Sequence, residues 1–439
     1  MQFHSLLFLF GFLPIFLFVY HRVDVQYRNP TLLVGSLIFY SVIGGGWNLL
    51  LMLLLVMVTY IAGRIPEGAC QKWIRFSVLG LLLGCLIFFK ISSGGQLLPP
   101  GLSFVSFQLA AYLISLLRRK TEPQRDILGF FTGHLMFPKV LSGPLMQPQE
   151  LQDQMKERSL NGDDLHRGMQ TFLLGLGIKV LLAEPVGGIW NQAQAAGFEM
   201  ISAVFAWLAL LSFAMELYFN FYGYTVMARG LGRMLGFELP RNFTVPYRAQ
   251  SVSEFYRRWH QSLGLWFRDN VYIPLGGNRE GKWRTARNIL IVWILSGLWH
   301  GISLAFVLWG LFLGSVIVVE HCYLGEYLAQ HKRLAHGYML AAIMLSWVIF
   351  ASSGIVEAKE LYSSLFSAKE LQNMDYLFIF EDYFIILLVG VAAVFEDVEH
   401  YWQKLAQEPL ADWVMLGIFW VCVYRISTSA QDPFAYFRF

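Results

Sequence analysis

Charge is scarce in this chain: Asp, Glu, Lys and Arg make up 14% of its 439 residues, against 56% hydrophobic residues and a mean hydropathy of +0.50. An ordinary soluble domain carries about a quarter charged residues, so a water-soluble globule with one buried core is excluded. No long polar stretch interrupts the apolar runs, which leaves no room for a separate soluble domain. Cysteine is sparse too. Cys70, Cys85, Cys322 and Cys422 are scattered, with no pair at zinc or redox spacing, and read as ordinary free thiols. There is no Gly-x-x-x-x-Gly-Lys phosphate loop, Gly-x-Ser-x-Gly elbow or dinucleotide fingerprint, so ATP hydrolysis and serine-hydrolase chemistry find no support. Met1 to Tyr20 lacks the positive n-region and cleavage pattern of a signal peptide and is expected to stay as a first span. The net charge of +3 is small and spread along loops, which gives no sign of nucleic-acid binding. No internal repeat is visible, which weakens an inverted-repeat transporter architecture.

What is present is a succession of continuous apolar runs such as Leu49 to Ala62. A transmembrane barrel would read as alternating segments of about ten residues. The chain is therefore an all-α polytopic membrane protein. With ~20 apolar residues per helical span, about ten or eleven membrane helices are expected, the later ones near 168–183, 201–221, 289–319, 338–356, 381–395 and 411–426. Loops 21–30, 63–75 and 118–126 hold nine basic residues, Arg22, Arg28, Arg64, Lys72, Arg75, Arg118, Arg119, Lys120 and Arg125. The alternating connections, Gly44-Gly45-Gly46 and Ile91 to Pro100, hold none. The positive-inside bias places the basic loops in the cytoplasm and the N-terminus outside. Three divisions along the single integral membrane domain 1–439 are expected: N-terminal spans 1–128, a catalytic core with re-entrant segments 129–320, and C-terminal spans 321–439.

Some segments are too broken for simple spans. Pro99-Pro100-Gly101 opens a semi-polar stretch through Leu117, and Phe137-Pro138 and Gly143-Pro144 interrupt another. Irregular backbone at membrane depth is tolerated only where protein or water covers it, so these read as re-entrant elements lining a cavity. From Ser251 to Tyr272 the pattern reads as one amphipathic helix, opened by capping-box spacing at Ser251 and Glu254. Its spacing puts Tyr256, His260, Gly264 and Phe267 on one line.

Two histidines stand out. His300 is the one side chain titrating near neutral pH in the thirty-one residues from Ile289 to Val319, and an ionisable group inside a membrane is a functional site by default. A desolvated imidazole favours its neutral form and can accept a proton from a hydroxyl. A histidine satisfied by a neighbouring helix is the structural alternative for His300, and one bonded to a carbonyl is the alternative for His260. The other histidines, His4, His21, His134, His166, His321, His331, His336 and His400, are expected mostly at span ends and in loops, in contact with water. Glu320-His321-Cys322 lacks matching ligands one turn away, so no metal site is expected. Trp259, Trp266, Trp283, Trp293, Trp299 and Trp309 crowd the same region; Trp299 and Trp259 could wall a tunnel, whereas belt and packing roles suit Trp283 and Trp293.

Gly230 to Phe237, Leu239-Pro240-Arg241-Asn242-Phe243, Pro246-Tyr247, Glu254 to His260, Trp266-Phe267-Arg268-Asp269, Tyr272 to Arg279 and Gly297-Leu298-Trp299-His300-Gly301 together resemble the membrane-bound O-acyltransferases, most nearly the bacterial alginate O-acetyltransferase type. Pro100 to Phe104 with Phe107-Gln108, Phe137-Pro138 with Ser142-Gly143-Pro144, and the tail Pro433 to Phe439 extend the likeness over most of the chain. The resemblance implies membrane helices and re-entrant helices ringed around a central tunnel in the bacterial cytoplasmic (inner) membrane. It implies His300 as principal catalytic histidine and His260 as second, with Trp259, Asn242, Arg268, Tyr272 and Trp299 as substrate-binding residues. Acetyl-CoA is the implied co-substrate with no bound cofactor; membrane lipids, a periplasmic acetyltransferase- or esterase-like protein and a polysaccharide acceptor are the implied partners. Where relatives show Asp-x-Ser-Gly-Tyr-x-Asp, this chain has Asn220 to Val226, so both carboxylates are missing. D-alanyl transfer from a carrier protein to teichoic acid and a non-enzymatic glycan or lipid transporter are the competing expectations.

Overall fold

The computed structural model describes residues 1–92, 97–367 and 375–428; the tail motif Pro433 to Phe439 and part of the Ile91 to Pro100 connection lie outside them. Regular structure among these residues is entirely helical, the form in which a chain in lipid satisfies its own backbone polar groups. Among them seven helices are long and apolar enough to cross a membrane: Val25–Arg64, Cys70–Ile91, Gly162–Ala196, Ala203–Met234, Leu304–Gln330, Lys332–Ala351 and Asp375–Val394. Leu7–Arg22 and Leu102–Leu117 are shorter apolar helices, and Ala411–Thr428 covers the last expected span. The architecture is the all-α, multi-pass one.

The described chain packs as two compact units. One comprises Met1–Leu176, Tyr224–Arg241 and the described residues from Asp412 on; the other comprises Gly177–Gly223 and Asn242–Ala411. In the first, Arg28–Arg64 is broken at Gly45, whose φ of +74° is a left-handed value that glycine adopts without penalty. The nine-residue helix Ile127–Leu135 and the residues before it reach both ends of the broken helix. Thr132 Oγ1 donates to the Asn29 carbonyl at 3.3 Å, and Tyr60 Oη donates to the Arg125 carbonyl at 2.8 Å. The two halves therefore fold back on each other at the three-glycine connection, which brings the first two basic loops to one side. Arg119 of the third basic loop meets Glu67 of the second at 3.4 Å.

The proline-broken segments of this unit are buried. Leu102–Leu117 buries thirteen of its sixteen residues, and Phe137–Val140 is a helix of four buried residues. Gln108 closes the Gly143-Pro144 turn: its Nε2 donates to the Met146 carbonyl at 2.7 Å and its Oε1 accepts the Met146 N–H at 3.2 Å. A side chain thus covers the irregular backbone, as this kind of segment requires. His134, expected in contact with water, is instead buried, with Nδ1 2.8 Å from the Phe130 carbonyl one turn back. The glycine- and proline-rich surroundings of His134 hide the packed short helix that carries it.

In the second unit, the apolar run expected as a span at 289–319 is two helices. Lys282–His300 ends at Gly301 in extended conformation, and Ser303 caps the start of Leu304–Val319 by accepting the Phe306 N–H. The two pack backbone to backbone. A Cβ added at Gly297 would collide with the Phe306 carbonyl oxygen, and one at Gly310 with that of Trp293. Small residues permit such approach between apolar helices.

Candidate active site

The segment Ser251 to Tyr272, expected as one helix, is three pieces: Val252–Arg258, Gln261–Phe267 and a π-helical turn Arg268–Tyr272. Half of the capping box is there: Ser251 Oγ accepts the Glu254 N–H at 3.0 Å, but the Glu254 carboxylate accepts the Gln250 N–H, one residue before the cap, at 2.8 Å. The helix then stops because a neighbouring strand of irregular chain takes its hydrogen bonds. Thr244 N–H donates to the Arg258 carbonyl, and the Gln261 N–H donates to the Asn242 carbonyl, each at 3.0 Å. Trp259 becomes extended and His260 left-handed, at φ +44° and ψ +52°. The expected line of Tyr256, His260, Gly264 and Phe267 on one helix face does not exist. A left-handed non-glycine residue costs roughly 1–2 kcal/mol, and strain of this kind collects at functional sites.

The break turns His260 inward. It is 3% exposed, its ring edge-on to Phe221 at 4.7 Å and 6.1 Å from the Trp299 ring. Burial holds its imidazole down to about 3, well below the ordinary 6.5, so the ring is neutral. Asn242 fixes the turn: its Oδ1 accepts the Ser262 N–H at 3.1 Å, doing the work of an N-cap side chain that His260 leaves undone. Asn242 is 1% exposed, and its Nδ2 has no hydrogen-bond partner among the described residues.

His300 lies at the tip of the hairpin, not midway along a span. It is 6% exposed because aromatic rings enclose it: Trp299 at 4.7 Å, Phe350 at 5.1 Å, Trp309 at 5.2 Å and Phe306 at 6.2 Å, the first three edge-on. Three helix ends supply this wall, those of Lys282–His300, Leu304–Val319 and Lys332–Ala351. Trp309 Nε1 is a buried donor without a partner among the described residues. Trp299 thus stands between two buried imidazoles.

The other expected site residues divide. Trp259 is buried in an aromatic cluster, stacked on Phe255 at 5.5 Å and edge-on to Phe243 at 5.1 Å. Arg268 is an exposed fork on Asp269, at 2.8 and 3.2 Å, and Tyr272 is half-buried on the same turn, its carbonyl accepting the Gly277 N–H. Arg268 and Tyr272 thus bond within their own turn.

Sequence reasoning missed three contributors. Phe350 walls His300 from a helix with no motif of its own. Glu320, weighed only as a metal ligand, is buried and caps Val252–Arg258, its carboxylate accepting the Val252 and Ser253 N–H groups at 2.6 and 2.9 Å. Lys179 is the third. It is 3% exposed, its Nζ donates to Asn220 Oδ1 at 2.5 Å, and it interacts electrostatically with Glu184 and Glu216. Asn220, one of the two positions where the resemblance leads one to expect a carboxylate, is thus held by Lys179, with Glu184 and Glu216 in electrostatic reach of the same side chain. The only sequence signal was a lone Lys and a lone Glu inside spans.

Residues 126–356 match the model of the MBOAT, membrane-bound O-acyltransferase family. The chain is 33% identical to the "Probable alginate O-acetylase AlgI" of Pseudomonas fluorescens, over 84% of this chain and 76% of that protein. It is 29% identical to the peptidoglycan O-acetyltransferase of Helicobacter pylori, over 83% and 79%. It is 27% identical to the teichoic acid D-alanyltransferase of Streptococcus thermophilus, over 51% and 57%. An acyltransferase, and not a transporter that kept the scaffold, is what these relatives describe. The chain belongs to the membrane-bound O-acyltransferase family, and is a multi-pass membrane O-acyltransferase.

Proposed function

We propose that the protein moves an acetyl group from acetyl-CoA at the cytoplasmic face of the bacterial inner membrane to a hydroxyl on the other side, on a polysaccharide or on a periplasmic partner that passes it on. The observation that carries the reading is the pair of buried imidazoles flanking Trp299. His300 is the general base. It takes the proton of the attacking hydroxyl as that oxygen bonds to the thioester carbonyl carbon; the C–S bond breaks, and the proton passes to the departing thiolate. Ester and thiol are the products, and no further reactant is needed. The open Nδ2 of Asn242 is suited to the carbonyl oxygen as charge develops on it. His260 positions the donor beside Trp299 and Trp259, and Arg268 and Tyr272 hold its outer part.

The D-alanyl reading draws on the teichoic acid relative, which is less similar over a smaller share of the chain than the two acetyl-transferring ones. In both readings the base is the same. The test is His300→Ala in reconstituted membranes, with thiol release and acceptor acylation followed together. Loss of about 10²–10⁴-fold is expected for a general base. A folded variant that turns over at the parent rate would overturn the assignment, and a parent enzyme that uses only a D-alanyl carrier thioester would overturn the acetyl donor.

A further inference from the structure

In the first unit a groove of about 600 Å³ opens where the ends of Arg28–Arg64 and Leu102–Leu117 meet the start of Ala69–Ile91. Four cations line it, Arg64, Arg75, Arg119 and Lys120, against two acids, Glu67 and Glu122. The positive-inside bias accounts for basic residues in these loops. It does not account for their convergence on one cavity within the ~300–1,000 Å³ range of ligand pockets.

The groove is built, not merely crowded. Arg75 is a buried floor, 4% exposed, with its Nε and Nη2 donating to the Ala62 and Gly63 carbonyls at 3.4 and 3.2 Å. Arg119 is left-handed at φ +54°, a strained state for a side-chain-bearing residue. Its bond to Glu67, at 3.4 Å between two exposed side chains, is of the kind worth at most about 1 kcal/mol, so a stronger anion can displace it. Two arginine forks and a lysine point charge suit phosphate oxygens.

The geometry points to a site for a phosphate ester, from either an anionic lipid headgroup or a soluble phosphorylated molecule. The site is independent of the transfer chemistry and stands whether or not His300 is the base. The test compares the full chain in nanodiscs with two double variants of equal charge loss. Arg64→Gln/Lys120→Gln lies in the groove, and Lys72→Gln/Arg125→Gln lies on the same loops outside its lining. All four positions are exposed, so both variants should fold, which circular dichroism checks.

Binding of ADP is measured by calorimetry in phosphatidylcholine discs, and retention of phosphatidylglycerol by native mass spectrometry. A loss of at least tenfold in the groove variant alone supports the site, the ADP arm naming a soluble source and the lipid arm a headgroup. Equal effects of the two variants, no effect of either, or no binding of either probe to the parent would overturn it.

Discussion

Replacing Asn242 by alanine removes one hydrogen bond and leaves another, which makes it a sharp probe of how His260 is held. The main-chain carbonyl still accepts the Gln261 N–H, but the Ser262 N–H loses Oδ1. Ser262 is buried, so water does not replace the lost acceptor, and an orphaned buried N–H costs about 1–3 kcal/mol. The left-handed His260 backbone holds roughly 1–2 kcal/mol of strain. The lost bond is thus comparable to the strain it helps to contain, and the alanine variant should let the turn relax. The expected result is a lower thermal midpoint in detergent and a fall in transfer rate of about 10–100-fold, at tenfold per 1.4 kcal/mol. A double-mutant cycle isolates the coupling. Glycine carries no penalty at positive φ, so Asn242→Ala should cost less stability on a His260→Gly background, with a coupling of about 0.5–3 kcal/mol. Additive midpoints would refute the account, because they would mean that Asn242 and the strained turn are energetically separate.

Three further outcomes are expected. Gly310→Ala drives a methyl into the Trp293 carbonyl and should destabilise the hairpin by about 1–3 kcal/mol; an unchanged midpoint would show that the two helices are free to part. Glu320→Gln retains one acceptor oxygen for the Val252 and Ser253 N–H groups and loses the charge, so a loss of about 1.5–3 kcal/mol in thermal denaturation is expected. His260 binds its proton more weakly when folded than when unfolded, so stability is full above its ordinary value of 6.5 and declines as pH falls toward about 3; His260→Asn should flatten that decline in midpoints measured across the window, and an equally steep curve would remove His260 as its source.

The all-α, multi-pass architecture and the broken segments were legible because hydropathy and proline act locally. The three-glycine turn at Gly45 and the helix start at Ser251 were read for the same reason. His300 was found by its chemistry, an ionisable group in an apolar run, but its place at a hairpin tip was not. Within Leu298 to Ser303 only Gly301 and the Ser303 cap mark a reversal, and the glycines that let the hairpin close, Gly297 and Gly310, pair across a distance in sequence. The helical period through Ser251 to Tyr272 was real, yet backbone bonds from Asn242 and Thr244 overrode it, and a long-range competitor leaves no trace in local spacing. Phe350 and Glu320 escaped notice because each acts on residues 50 or more positions away.

Lys179, Glu184 and Glu216 have a consequence for biogenesis. Each charge placed alone at the centre of a helix costs about 2.5–3.5 kcal/mol on translocon scales, and Gly162–Ala196 carries two of them while Ala203–Met234 carries the third. Six residues separate the two helices. The pair is therefore expected to enter the lipid as a preassembled hairpin, held at the insertion machinery until the second helix has been synthesised and the charges have met.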